Sequence, residues 1–196
     1  GWRGLRVTLD HPEIFMVQVR AMLKASEGLD NLRIMLPMVT SVIEAEDAQH
    51  FIHRAWLEVR DEGLDIPMPE VGVMIEVPAS VYQARALAQR VDFLSIGTND
   101  LTQYLLAVDR NNRQVASLYN SYPPAVLHAI LHVIEQAKEE GKTVSVYEDL
   151  TAGLLAGRLQ TSNSEFFVEG LISNSEATTR RLLQFSNKSA DLNSLQ

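Results

Sequence analysis

The sequence has 196 residues, of which 46% are hydrophobic, enough to bury a core and consistent with one globular α/β domain. Seventeen Lys and Arg against 25 Asp and Glu leave a net charge of −8, which argues against nucleic acid or an anionic membrane as partners; an anionic ligand would need a local basic cluster or a metal. There is no cysteine, so neither a disulfide framework nor a catalytic thiol is on offer. The polar start of the chain and the lack of a long apolar run point to a cytoplasmic protein.

Taken in chain order, short aliphatic runs alternate with amphipathic segments. Leu5-Arg6-Val7-Thr8-Leu9 reads as a first strand and 12–25 as a helix. Arg33-Ile34-Met35-Leu36-Pro37 is the next strand, and 42–60 has apolar residues at helical spacing, closed by Asp61-Glu62-Gly63. Val71-Gly72-Val73-Met74-Ile75 is a buried strand; Pro78 suits the first turn of a helix over 77–90. A strand at 91–96 leads into Gly97-Thr98-Asn99-Asp100, read as a loop and N-cap. A polar loop at 109–113 precedes a helix over 125–140 that stops at Gly141, and Thr143-Val144-Ser145-Val146-Tyr147 is the fifth strand. Beyond Leu150 the pattern weakens, with Phe166-Phe167-Val168 as a sixth strand, a last helix at 177–185, and a polar, frayed tail at 186–196.

Repeated strand-helix units imply a parallel sheet, and no Gly-x-Gly-x-x-Gly follows the first strand, which disfavours a dinucleotide fold. A complete eight-unit barrel takes roughly 250 residues, so about six units predict a partial TIM-type (β/α) barrel. Residues 1–150 read as the barrel portion and 151–196 as a divergent C-terminal segment.

The active site of such a barrel lies at the C-terminal ends of its strands. The polar residues there are Glu76, then Asn99 and Asp100, then Tyr147, Glu148 and Asp149. Two carboxylates on neighbouring strand ends, with no His or Cys beside them, suit Mg²⁺ or Mn²⁺ rather than zinc. The same two acids also read as a helix N-terminal acid and an N-cap. Arg110 sits where a guanidinium could grip a phosphate or carboxylate, or else pair with Asp109. Arg3 and Arg6 read on their own as surface charges. Histidines 11, 50, 53, 128 and 132 form no zinc pattern, and Met35, Met38, Met68 and Met74 read as core filler.

Longer motifs add to this. Gly72-Val73-Met74-Ile75-Glu76-Val77-Pro78-Ala79 and Ser95-Ile96-Gly97-Thr98-Asn99-Asp100-Leu101-Thr102-Gln103-Tyr104 resemble the phosphoenolpyruvate-utilising family. With Leu106-Ala107-Val108-Asp109-Arg110-Asn111, the start at Gly1-Trp2-Arg3-Gly4, and Arg33-Ile34-Met35-Leu36-Pro37-Met38, the sequence is similar to enzyme I of the bacterial phosphotransferase system, closest in wording to its nitrogen-branch version. The resemblance runs to about Val146. It implies that Glu76 and Asp100 bind Mg²⁺, that Asn99 and Arg110 contact phosphoenolpyruvate, and that Arg3 is one of the arginines around its phosphate. It also implies transfer to a histidine on a separate domain and then to a phosphocarrier protein, with pyruvate as product and the barrel as a dimer interface. The family's proton-donating cysteine is replaced by Tyr147, so no catalytic residue is carried over: the pKa of tyrosine, about 10, makes it a weaker acid than a thiol. The family's phosphohistidine and carrier-binding domains precede the stretch that matches, and its closing helix and strand are unrecognisable after Leu150.

The favoured expectation is therefore the Mg²⁺- and phosphoenolpyruvate-binding part of a phosphotransferase, inactive by itself. Two alternatives stand beside it. One is a non-catalytic dimerisation or regulatory module that pairs with a full-length enzyme I. The other is an unrelated Mg²⁺-enolate lyase barrel using Glu148 or Asp149 as acid or base.

Overall fold

The computed structural model describes residues 1–119 and 123–147. Four parallel strands, β1 (Arg33–Leu36), β2 (Glu70–Ile75), β3 (Phe93–Gly97) and β4 (Thr143–Tyr147), lie side by side in chain order. Because order in space equals order in sequence, no reversal point divides the sheet as in a doubly wound fold. The principal helices are α2 (Pro12–Ala25), α3 (Val42–Asp61), α5 (Ala84–Ala88) and α7 (Pro124–Glu139). They pack in succession, α2 on α3, α3 on α5 and α5 on α7. The result is a wall of a (β/α) barrel, with helices outside and strand ends gathered along one edge.

Register sorts the strand side chains between the two faces. Ile34 pairs with Val71, Leu36 with Val73, Val73 with Leu94, Ile75 with Ile96, and Ile96 with Val146. All of these belong to the core cluster shared with Ala45, Ala48, Ile52, Ala55 and Val59 of α3 and with Val126, Ile130, Val133 and Ala137 of α7. Each fully buried Leu or Ile contributes roughly 1.5–3 kcal/mol relative to exposure. On the opposite face a Cβ at Gly72 would lie 2.3 Å from the Phe93 ring, so the glycine leaves the space that the aromatic fills. Of the four methionines read as core filler, Met38 and Met74 are buried, whereas Met35 and Met68 are exposed.

Several expected elements change. The segment read as a first strand is a helix, α1 (Leu5–Asp10). Leu5 enters the core and Leu9 packs against it, so an i, i+4 pair satisfies the same apolar pattern as an alternating strand. The helix over 77–90 is two short ones, α4 (Pro78–Val81) and α5, broken at Tyr82 and Gln83. There the Gln83 amide donates to Thr40 O at 2.8 Å and to Ala79 O at 3.1 Å. Val91 and Asp92 precede β3: the Asp92 carboxylate accepts from the Val71 N–H at 2.8 Å and fixes the start of β2 instead. The strand at 166–168, the helix at 177–185, the tail at 186–196 and the acids Glu148 and Asp149 lie outside the described residues.

Candidate functional site

At the C-terminal edge of the sheet, β2 ends one residue before Glu76. β3 runs through Gly97 into α6 (Thr98–Leu106), which carries Asn99 and Asp100 in its first turn. Asp100 is thus helical, not an N-cap: Gly97 takes that position, and neither α4 nor α6 has a side-chain cap. Both acids are buried, Glu76 at 5% and Asp100 at 6% exposure. A carboxyl group buried this deeply needs a partner, because desolvation strongly disfavours its charge.

The partners come from distant parts of the chain. The Met38 N–H donates to Glu76 Oε1 at 2.7 Å. The Arg3 guanidinium donates to Asp100 Oδ2 at 3.1 Å, and Arg110 Nη2 stands 3.5 Å from Asp100 Oδ1. Burial pushes the Glu76 carboxyl above its ordinary value; the Met38 N–H opposes this, and the charge and hydrogen bond of neighbouring Asp100 push it up again. The two acids therefore face each other, and Asp100 Oδ1 is buried without a hydrogen-bond partner. Gly97 makes the arrangement possible: a Cβ there would lie 2.9 Å from Glu76 Cβ and 3.1 Å from Glu76 Oε2.

The remaining expected residues gather at the same edge. Arg110, expected either to grip an anion or to pair with Asp109, turns toward Asp100, while Asp109 Oδ1 accepts from the Asn111 N–H. Its loop is fixed where its own N–H meets Gln103 Oε1 at 3.1 Å. The Tyr119 hydroxyl lies 3.3 Å from both Asn99 O and Asn99 Oδ1, which ties up the carbonyl side of that amide. The Tyr147 backbone pairs with Gly97. Arg6 is a surface residue, bonded to Gly1 O.

Chemically, two adjacent buried carboxyl groups, one of whose oxygens accepts no hydrogen bond, form an oxygen-only donor set flanked by the positive charges of two guanidinium groups. Mg²⁺ is held by one or two carboxylates and completes its shell with water and substrate oxygens, so the residues present fit that ion. Among the described residues no group of three or more His, Cys, Asp or Glu converges, as a zinc site would require. A recess of about 390 Å³ opens at the opposite edge, lined in part by His50, His53, Arg90 and Asp92. Its charges are already used: Arg90 pairs with Glu46, and Asp92 holds Val71.

Residues 1–157 match the family described as PEP-utilising enzyme, PEP-binding domain. The chain belongs to that family. It is 54% identical over 142 residues to a protein of Salmonella typhimurium named phosphoenolpyruvate-dependent phosphotransferase system, covering 72% of this chain and 19% of the relative. A Haemophilus influenzae phosphoenolpyruvate-protein phosphotransferase is 45% identical over 151 residues, 76% of this chain and 26% of that protein. The chain thus spans between a fifth and about a quarter of the length of these relatives. Among solved structures, a citrate lyase from Burkholderia xenovorans superposes with a TM-score of 0.62 at 18% identity, over 87% of this chain and 53% of the other, a likeness of fold alone. No helix among the described residues is long and apolar enough to cross a membrane.

Three contributors to the site were not singled out in the sequence as site residues: Met38, Gly97 and Tyr119. Gly97 stands inside a long motif, which was its one available signal. Nothing in the residue type of Met38 announces the backbone conformation by which it reaches Glu76.

Proposed function

We propose that this edge is the Mg²⁺- and phosphoenolpyruvate-binding half-site of a phosphotransferase that passes phosphate to a histidine and on to a carrier protein. The observation that carries the reading is the buried Glu76–Asp100 pair set between Arg3 and Arg110, with Asp100 Oδ1 facing Arg110 at 3.5 Å but accepting no hydrogen bond. Glu76 and Asp100 would hold the ion, which when bound supplies positive charge to the phosphoryl and enolate oxygens. Arg3 and Arg110 neutralise the anionic end of the substrate, and their forked donors fix its orientation. Asn99, with its carbonyl side engaged by Tyr119, offers its amide N–H groups to an anionic oxygen. These contributions are positioning and electrostatic stabilisation, the two effects on which phosphoryl transfer chiefly depends.

In this reading the acceptor histidine and the carrier-binding surface are supplied from outside these 196 residues, a dimer forms through the barrel portion at 1–150, and 151–196 is divergent in sequence. No catalytic acid is assigned, and Tyr147 is not given the proton-donor role of the family cysteine. Calorimetry tests the reading: weak, Mg²⁺-dependent phosphoenolpyruvate binding that is lost in both Glu76→Gln and Asp100→Asn, without turnover to pyruvate. Binding that ignores both substitutions, or tight binding with independent turnover, overturns it.

A further inference from the structure

Met38 is a buried non-glycine residue with a left-handed backbone, φ 58°, just beyond the end of β1. Left-handed φ is unfavourable for any side chain with a Cβ and persists only where the surroundings impose it. Here two requirements meet on one residue. Its N–H points at Glu76 Oε1, 2.7 Å away. Its side chain is buried beneath Gly4, where a glycine Cβ would come within 2.8 Å of Met38 Cβ and 2.9 Å of Met38 Cγ. The angle φ is the rotation that relates an N–H to its own side chain. At a negative φ, either the N–H would leave Glu76 or the side chain would leave its site against Gly4.

Gly4 is held in turn. Its own φ is 58°, and the next residue, Leu5, donates its N–H to Pro37 O at 3.2 Å, immediately before Met38. Arg3, one residue earlier, reaches Asp100. Gly4, Met38, Glu76, Asp100 and Arg3 thus close a circuit of contacts around the two carboxyl groups.

We infer that Met38 is a positioning residue: its left-handed backbone aims an N–H at Glu76 Oε1 and so fixes the orientation in which Glu76 presents its other oxygen beside Asp100. This rests on the Mg²⁺-binding reading and deepens it. Partners that orient a metal ligand are typically worth roughly 10–100-fold in metal affinity.

The test uses the whole 196-residue chain, Mn²⁺ as a probe followed by electron paramagnetic resonance, and exchange of the Met38 amide followed by NMR. Met38→Leu keeps volume and backbone demand, and Met38→Gly removes the side chain but accepts left-handed φ freely. Met38→Val combines a moderate loss of volume with a β-branch hostile to that region. Mn²⁺ affinity is expected to stay within about threefold of the parent in the Leu and Gly variants and to fall about 10–100-fold in the Val variant, although the Gly variant melts lowest. The crossing matters, because a merely structural Met38 would make affinity follow stability and leave the Gly variant the weakest binder. If the Val variant does not fold, a Gly variant binding less tightly than Leu still overturns the positioning role, and the exchange of the Met38 amide in Glu76→Ala decides between positioning and no role.

Exchange gives the second readout. The Met38 amide should be protected in the parent, Leu and Gly proteins and lose protection in Glu76→Ala. Equal Mn²⁺ affinity in all foldable variants, including Val, or a Met38 amide still protected in Glu76→Ala, overturns the positioning role and leaves the metal reading intact. A parent that binds no Mn²⁺ while the amide pattern holds overturns the metal reading and leaves the orientation of Glu76 by Met38 standing.

Discussion

Gly97 has an ordinary backbone, φ −88° and ψ 84°, so its requirement for glycine is one of space, and that makes Gly97→Ala an informative perturbation. The added Cβ would lie 2.8 Å from Met74 Sδ, 2.9 Å from Glu76 Cβ and 3.1 Å from Glu76 Oε2. Met74 can swing aside, but Glu76 Cβ is fixed to the backbone, so the carboxylate must shift. Replacing glycine where the backbone is compatible contributes about 0.4–1 kcal/mol through the unfolded state, whereas an extra methyl in a packed site costs about 1–3 kcal/mol. Overpacking wins, and a net loss of about 1–2 kcal/mol lowers the folded-to-unfolded ratio roughly 5–30-fold. For a chain of this size that corresponds to a fall in Tm of about 2–8 °C. Urea denaturation and Mn²⁺ titration of the same samples check the two halves together: on the proposed function, the displaced Glu76 carboxylate should also weaken metal binding about tenfold or more. In a Met74→Ala background, with one of the three contacts removed, Gly97→Ala should cost less, a coupling that a double-mutant cycle measures. A Gly97→Ala protein as stable as its parent, with unchanged Mn²⁺ affinity, would refute the steric argument.

Three further outcomes follow from the same geometry. Glu76 is raised by burial above its ordinary value of 4.5, so between 4.5 and that raised value the folded state holds more protons than the unfolded. Metal-free stability should therefore fall as pH rises through this window, while Mn²⁺ binding strengthens; urea midpoints against pH check this, and Glu76→Gln should flatten the slope. Tyr119→Phe should weaken phosphoenolpyruvate binding severalfold, by about 1 kcal/mol for one freed hydrogen bond, with Mn²⁺ affinity unchanged in calorimetry. Ser41→Ala breaks the capping box in which Ser41 and Glu44 satisfy each other's N–H at the start of α3; it should cost about 1 kcal/mol in a melt and leave both ligands untouched.

What was legible in the sequence divides by the range of the forces involved. The β2, β3 and β4 runs and the helices around them are dictated by local periodicity. The two strand-end acids were readable because a barrel collects its polar residues at one edge. Leu5 to Leu9 misled because five residues with apolar ends fit period 2 and period 3.6 alike, and the choice was made by a hydrogen bond to Pro37 and by packing on the core. Asp100 as an N-cap was a local reading displaced by a tertiary one: its oxygens are claimed by Arg3 and faced by Arg110. The left-handed turn at Met38 was invisible for a different reason, since methionine has no preference for that region and is held there by Gly4 and Glu76.

The salt bridge between Arg3 and Asp100 joins residues 97 positions apart, and the Met38–Glu76 hydrogen bond spans 38. Closing such loops costs entropy before any contact rewards it, and contacts of this span form slowly. The strands and helices can therefore pair while the N-terminal segment is still free, and Arg3 joins the Glu76–Asp100 edge only when that segment docks. On the proposed function, phosphoenolpyruvate binding should be gained late in folding and lost early under denaturant. It reports on the last stage of assembly rather than on the presence of the sheet.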